Sequence, residues 1–325
     1  MSAPESRAIG PRPINVALVN NMPDAAFVDT EQQFRTAVAA DSGGGEIEIR
    51  LYAIDEVQRS EETRAVIAEH YRDLDELWAA PPDALIITGT EPVQAQLPYE
   101  SYWPVLARLI EWAPTSVPTT MLSCLAAHAS TLIFDGIERT PLPAKCCGVF
   151  SGALGSREHP LSAGLPESVP VPHSRVNDIS EAEMVGAGYD IIIGSDADRA
   201  GWAVAARNQG DSLLVLCQAH PEYSTLSLLR EYRRDVRRFL LGRGALPYPR
   251  LPDGYLRPEG AAILERFAQT ASAGGQDGVQ LWQSFPFEEV AATIENTWET
   301  PSMMLYRNWL GLARQASASP STARA

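Results

Sequence analysis

A cysteine at the corner between a strand and a helix, and a histidine two residues before a glutamate, are the groups here whose spacing could carry covalent chemistry. The cysteine is Cys124, within Pro118-Thr119-Thr120-Met121-Leu122-Ser123-Cys124-Leu125-Ala126-Ala127-His128. Residues 119–122 are apolar and β-branched after a proline, whereas residues 125–133 are rich in Ala and Leu, so the period changes at Ser123-Cys124. A side chain held at such a turn projects from the carboxyl edge of a sheet. It lies beside the first N–H groups of a helix, which favour negative charge and lower a thiol pKa. A buried structural cysteine is the competing reading, because free cysteines are among the most buried residue types. The histidine follows a second apolar run, residues 213–218, in Ala219-His220-Pro221-Glu222-Tyr223. On an extended backbone, residues two apart point to one side, so Glu222 can orient the His220 imidazole near the end of a neighbouring strand. Cys124, His220 and Glu222 then supply nucleophile, base and orienter.

Elements able to position these groups alternate along the chain. Residues 14–19 read as a first buried strand ending at Asn20-Asn21-Met22-Pro23, with a helix over 30–40 that Thr30 caps. A half-exposed strand over 46–52, a helix over 61–78 and a strand over 84–87 ending at Thr88-Gly89-Thr90 come next. A helix over 102–112 precedes the cysteine strand. This βαβαβαβα order predicts a mostly parallel sheet with helices on both faces. Ligands in such sheets lie outside the carboxyl ends of the strands, so Asn20-Asn21, Thr88-Gly89-Thr90 and Cys124 should line one crevice. Gly89 suits a backbone that lends an N–H or approaches a ligand closely, though an ordinary turn would also use it. Residues 145–174 look loop-rich, residues 189–193, 202–206 and 213–217 add strands, and residues 223–241 form a helix bearing Arg230, Arg233, Arg234, Arg237 and Arg238. Such a run is ordinarily a solvated face, but Arg234 could hold a substrate carboxylate bidentately. The expected domains are a flexible tail at 1–13, a core domain at 14–245, an extension at 246–314 opened by a proline-rich linker, and a disordered tail at 315–325. Trp282, Trp298 and Trp309 should pack the extension onto the core.

Composition sets outer bounds. At 325 residues and 45% hydrophobic, the chain can bury a large core. A net charge of -15 argues against nucleic acid and anionic membrane surfaces as partners. The cysteines, at 124, 146, 147 and 217, have neither disulfide-framework nor zinc spacing, so no metal is expected and a reducing cytoplasm fits. Residues 1–13 lack the apolar run of a signal peptide, and no stretch reaches the roughly 20 apolar residues of a membrane span.

Read together, Asn20-Asn21-Met22-Pro23, Thr30-Glu31-x-Gln33-Phe34, Thr88-Gly89, Tyr102-Trp103, Cys124, Lys145-x-x-Gly148-Val149, Pro172-His173-Ser174-Arg175, His220-Pro221-Glu222-Tyr223, Arg234-Asp235 and Asn308-Trp309-Leu310 resemble the homoserine O-succinyltransferase family, block by block, over residues 14–310. The resemblance implies a flavodoxin-like α/β fold of the class I glutamine amidotransferase type and a homodimer. It also implies ping-pong acyl transfer from an acyl-CoA co-substrate, succinyl-CoA or acetyl-CoA, to homoserine in methionine synthesis, with no bound cofactor. By the same resemblance Cys124 is the acyl-thioester nucleophile, His220 the proton acceptor and Glu222 its partner, while Lys145, Ser174 and Arg234 match the amino-acid substrate contacts. The Leu125 N–H and an N–H near Gly89-Thr90 are the candidate oxyanion donors, a contact worth roughly 3 kcal/mol in other enzymes.

The chain also departs from the family pattern. Asp24-Ala25-Ala26 replaces a lysine pair after Met22-Pro23, which removes positive charge that could hold an acyl carboxylate. Gly89-Thr90-Glu91-Pro92 stands where the family has Gly-Ala-Pro. Val93 occupies the acyl-pocket position at which the family carries glycine or glutamate, and there it leaves the donor open. His128 and Cys147 also differ from the family residues. A glutamine amidotransferase or other Cys-His-Glu hydrolase therefore remains an alternative, although no nucleotide-binding P-loop accompanies it. A non-catalytic binding protein on the same fold is a third reading. An α/β-hydrolase is disfavoured, since that class expects Gly-x-Ser-x-Gly and its acid before its histidine.

Overall fold

A computed structural model describes residues 13–39, 46–195, 200–242, 248–273 and 277–318. In chain order the strands are β1 (Ile14–Val19), β2 (Ile47–Tyr52), β3 (Ala84–Ile87), β4 (Thr119–Ser123), β5 (Thr140–Leu154), β6 (Ser168–Asp178), β7 (Asp190–Ser195), β8 (Val204–Gln209) and β9 (Ser212–Cys217). The helices are α1 (Phe27–Ala39), α2 (Glu61–His70), α3 (Leu74–Ala79), α4 (Trp103–Ser116), α5 (Leu125–Asp135), α6 (Glu181–Gly186), α7 (Ser227–Leu240), α8 (Pro258–Ala273), α9 (Gly278–Gln283), α10 (Phe287–Ala291) and α11 (Glu299–Ala318). The chain forms two compact units, one of residues 1–134, 206–216 and 303–325, the other of residues 135–205 and 217–302. These cut across the expected segments 14–245 and 246–314.

In the first unit the strand order is β2-β1-β3-β4-β9. β1 pairs in parallel with β2 (Leu18 opposite Leu51) and with β3 (Leu18 opposite Ile86), and β3 pairs in parallel with β4 (Ile86 opposite Met121). Every residue of β3 and β4 is buried, as expected of parallel strands covered on both faces. The fold is thus the expected mixed α/β class with a mostly parallel, flavodoxin-like sheet, whose order reverses between β1 and β3. Thr119 ties β4 to two later segments: its hydroxyl donates to the Leu213 carbonyl at 3.0 Å and accepts from the Trp309 indole N–H at 2.9 Å.

Local capping differs from the sequence expectation. α1 begins at Phe27, so Thr30 is an interior residue whose N–H donates to the Ala26 carbonyl. The single helix expected over 61–78 is broken into α2 and α3. Tyr71 turns extended, the Arg72 N–H donates to the Leu51 carbonyl at 2.8 Å, and the Asp73 carboxylate caps α3 at the Asp75 N–H.

In the second unit residues 145–174 are chiefly strand, a correction of the loop-rich expectation. β5 and β6 pair antiparallel from Ala153 opposite Ser168 to Thr140 opposite Asp178, and β7 pairs with the other edge of β5. Proline and glycine lower strand propensity locally, but long-range pairing overrides it here. Gly148 (φ 153°) lets residue Asp253 lie directly against β5, with the Val149 N–H donating to the Asp253 carbonyl at 2.8 Å. A β-carbon at 148 would lie 2.2 Å from that carbonyl oxygen. The proline-rich segment expected as a linker is therefore packed from Tyr248 onward. Leu228, Leu229, Tyr232 and Val236 of α7 share one core with Leu264, Phe267, Leu281, Phe285, Val290 and Trp298.

α11 continues to Ala318, so residues 315–318 of the expected disordered tail are helical, and the rest of that tail lies outside the described residues, as does the N-terminal tail up to residue 12. Among the described residues no helix is long and apolar enough to cross a membrane, and no group of three or more His, Cys, Asp or Glu could hold a metal ion.

Candidate functional site

Cys124 stands alone between the last residue of β4 and the first of α5, with φ at 51°. It is the only non-glycine residue with positive φ among the described residues. This left-handed conformation costs roughly 1–2 kcal/mol for an L-residue, and strain of that kind gathers at functional sites. The Cys124 carbonyl accepts the His128 N–H at 3.2 Å, so the cysteine caps α5. The Leu125 N–H then belongs to the first turn, whose N–H groups lack partners inside the helix. Together with the helix dipole this makes the elbow an anion-stabilising corner.

Gly89 approaches the same corner. A β-carbon built on it would lie 2.9 Å from the Leu125 nitrogen, 3.2 Å from the Leu125 β-carbon and 3.3 Å from the Ser123 carbonyl oxygen, so only glycine fits. The Thr88 hydroxyl accepts the Asn21 N–H at 2.8 Å and donates to the Gly89 carbonyl at 3.0 Å. A trans peptide sets its N–H opposite its C=O, so that bond turns the Thr90 N–H away from Thr88. Val93, by contrast, is 82% exposed, and its backbone N–H is fixed to the Glu100 carboxylate at 2.6 Å, as is that of Gln94. Its side chain faces solvent.

The Asn20-Asn21 stretch is held in place by its own bonds. The Asn20 amide donates to the Phe27 carbonyl and the Tyr71 hydroxyl, and the Asn21 side chain accepts the Ile54 N–H and donates to the Thr88 carbonyl. Buried Arg59, which sequence reasoning missed, donates to the carbonyls of Met22, Ile54 and Asn20 and lies over the Phe27 ring at 5.2 Å. Burial pulls its pKa below the ordinary arginine value. The signal was faint, because an isolated arginine looks like surface. His128 is buried on α5.

In the second unit the His220 Nδ1 lies 2.7 Å from Glu222 Oε1, and both side chains are buried. The pairing was expected, but its cause is different. β9 has ended at Cys217, and residues 220–223 form a turn closed by the Tyr223 N–H on the His220 carbonyl at 3.1 Å. Pro221 occupies the second position of that turn, where its fixed φ is favoured. The turn also folds the Tyr223 ring onto the imidazole, with centroids 4.3 Å apart and planes within 19°.

The expected substrate residues converge on Glu231, which sequence reasoning passed over. Its carboxylate accepts from the hydroxyls of Ser174 and Tyr223 and from the Lys145 ammonium at 3.3 Å, and Arg234 lies 4.0 Å away. The Lys145 ammonium also donates to Asp235 at 2.8 Å, and Arg234 Nε sits 3.6 Å from the same carboxylate. Burial opposes the charge on Glu231, but Lys145, Arg234 and the two hydroxyls outweigh it and hold its pKa below the usual glutamate value. Burial likewise opposes the charge on Lys145, yet Glu231 and its neighbours hold the ammonium above the ordinary lysine value. Glu231, Arg234 and Asp235 are spaced i, i+3 and i+4 on α7, so one helix face carries all three. That spacing was the available signal, hidden within a run that reads as solvated. Arg233 and Arg237 from the same run stack on Trp282 at 4.7 and 5.0 Å.

Cys147 pairs with Ser174 across β5 and β6, and alternation sets it on the Lys145 face. Burial pushes its thiol pKa up to about 12 despite Lys145, so it is a neutral thiol near pH 7. His173, on β6, is buried against the edge of Phe150 and is held neutral by that burial.

Comparison with known proteins adds a second line of observation. A protein-family model described as homoserine O-succinyltransferase matches residues 1–318. The chain is 41% identical over 301 residues to a homoserine O-succinyltransferase of Methylorubrum extorquens, covering 93% of this chain and 87% of that one. It is 40% identical over 304 residues to the protein of that name from Rhodopseudomonas palustris, covering 94% and 89%. Among solved structures, a glutamine amidotransferase from Methylobacillus flagellatus aligns at a TM-score of 0.48 and 15% identity, over 93% of this chain and 95% of that one.

Proposed function

The chain belongs to the homoserine O-succinyltransferase family, and we propose that it transfers an acyl group from acyl-CoA to the hydroxyl of homoserine through a thioester on Cys124. Succinyl-CoA is the donor assigned, after the activity for which the relatives are named.

In the first half-reaction the Cys124 sulfur attacks the acyl carbonyl, the C–S bond to CoA breaks, and CoA leaves as its thiol with the cysteine's proton. One thioester replaces another, so the step is close to thermoneutral and the acyl-enzyme is no energetic sink. The oxyanion formed at the carbonyl is assigned to the Leu125 N–H and the Thr90 N–H. In the second half-reaction the homoserine hydroxyl attacks the thioester while His220, oriented by Glu222, accepts its proton. An ester bond forms, the bond to Cys124 breaks, and the proton returns to the sulfur.

The observation that carries this reading is the alternation of charge around Glu231. Lys145 and Arg234 beside Glu231 and Asp235 suit a zwitterion, with the acceptor's carboxylate drawn to the cations and its ammonium to the carboxylates. Ser174 adds a hydroxyl to the same group. Incubation with homoserine and either succinyl-CoA or acetyl-CoA tests the assignment by product mass. O-Succinylhomoserine is the expected product. Ammonia release from glutamine, with no acyl transfer from either ester, would replace this reading with an amidotransferase.

A further inference from the structure

We propose that Tyr223 is a positioning residue with two separable tasks: its ring holds the His220 base, and its hydroxyl holds the Glu231 carboxylate at which the acceptor residues meet. This rests on the acyltransfer reading above. The ring lies flat against the imidazole at 4.3 Å, on a residue whose Nδ1 is already committed to Glu222, so rotation of the base is opposed both in its plane and across it. The hydroxyl at the far end of the same ring donates to Glu231 Oε1, while Glu231 Oε2 takes Ser174 and Lys145. The tyrosine backbone is itself fixed, by the turn to His220 and by the Trp298 indole N–H on its carbonyl at 2.8 Å. One rigid side chain therefore spans the base and the acceptor cluster.

Two substitutions separate the tasks. Tyr223→Phe keeps the ring and removes the hydroxyl, leaving a partly buried carboxylate oxygen without this donor. The KM for homoserine should rise about tenfold or more, the scale of a hydrogen bond to a charged group, with kcat within about threefold. Tyr223→Leu removes the stack as well, and kcat should fall about a hundredfold, the cost of a base misplaced by roughly an ångström. Formation of the acyl adduct on the wild-type enzyme, read by intact mass, is the control for the underlying reading, and its absence would sink that reading before Tyr223 is at issue. With the adduct present, equal losses in both variants, or no change in either, overturn the proposal. Thermal unfolding accompanies each assay. Should the leucine variant not fold, the phenylalanine variant decides alone, since an unchanged KM for homoserine contradicts the link to Glu231.

Discussion

Gly89 and Leu125 come so close that a single β-carbon on the glycine would lie 2.9 Å from the leucine nitrogen. The segment after β3 and the first turn of α5 are thereby held in close contact, at the two places whose N–H groups are proposed as oxyanion donors. Gly89→Ala should push the elbow apart, slow acyl-enzyme formation by about tenfold or more, and cost about 1–3 kcal/mol by overpacking. Rapid-quench mass spectrometry of the acyl adduct, with a thermal melt alongside, measures both effects. A fully active alanine variant would show that the spacing is not used.

The left-handed backbone at Cys124 makes a second prediction, independent of activity. Alanine and glycine both remove the thiol, but only glycine adopts φ near 51° without strain. Cys124→Gly should therefore be more stable than Cys124→Ala by about 1 kcal/mol. Urea denaturation of the two thiol-free variants compares them directly, and the opposite order would show that the elbow relaxes once the thiol is gone.

Glu231 should leave a signature in the pH dependence of stability. Its folded pKa is depressed, so its stabilising contribution is fully present above the unfolded value of about 4.3 and is lost as pH falls through the lower folded value. Glu231→Gln should accordingly cost about 2 kcal/mol near pH 7, and the gap to wild type should close below pH 4.3. Melting temperatures of both proteins across that range test the sign. A gap that widens in acid would mean that Glu231 is protonated in the native state.

Trp309 supplies a structural contrast. Its indole N–H donates to the Thr119 hydroxyl on the strand that leads to Cys124. Trp309→Phe should lose about 1–3 kcal/mol of stability, through the lost hydrogen bond and the unfilled volume, and should leave kcat within about twofold. Denaturation and steady-state kinetics on one preparation separate the two effects.

The legible parts of the sequence were those set by local pattern. The period change at Ser123-Cys124 located the elbow, and apolar runs located β1, β3 and β9, because a strand covered on both faces must be apolar on both. An extended backbone predicts the pairing of His220 with Glu222, but Pro221 makes a turn there, and that turn also brings Tyr223 onto the imidazole. β5 and β6 were hidden because their glycines and prolines are poor local strand formers, while the bonds that make them strands come from residues as distant as Asp253. Glu231 was hidden among arginines whose partners, Lys145 and Ser174, lie far off in sequence. Helix-face spacing can suggest such a cluster, but only the folded chain supplies what it meets.

The most direct test of the account is intact-protein mass spectrometry after brief mixing with succinyl-CoA, before and after homoserine is added, with Cys124→Ala alongside. A succinyl adduct is expected on the wild-type chain, none on the alanine variant, and loss of the adduct as O-succinylhomoserine appears. An adduct that survives Cys124→Ala, or one that homoserine does not discharge, would contradict it.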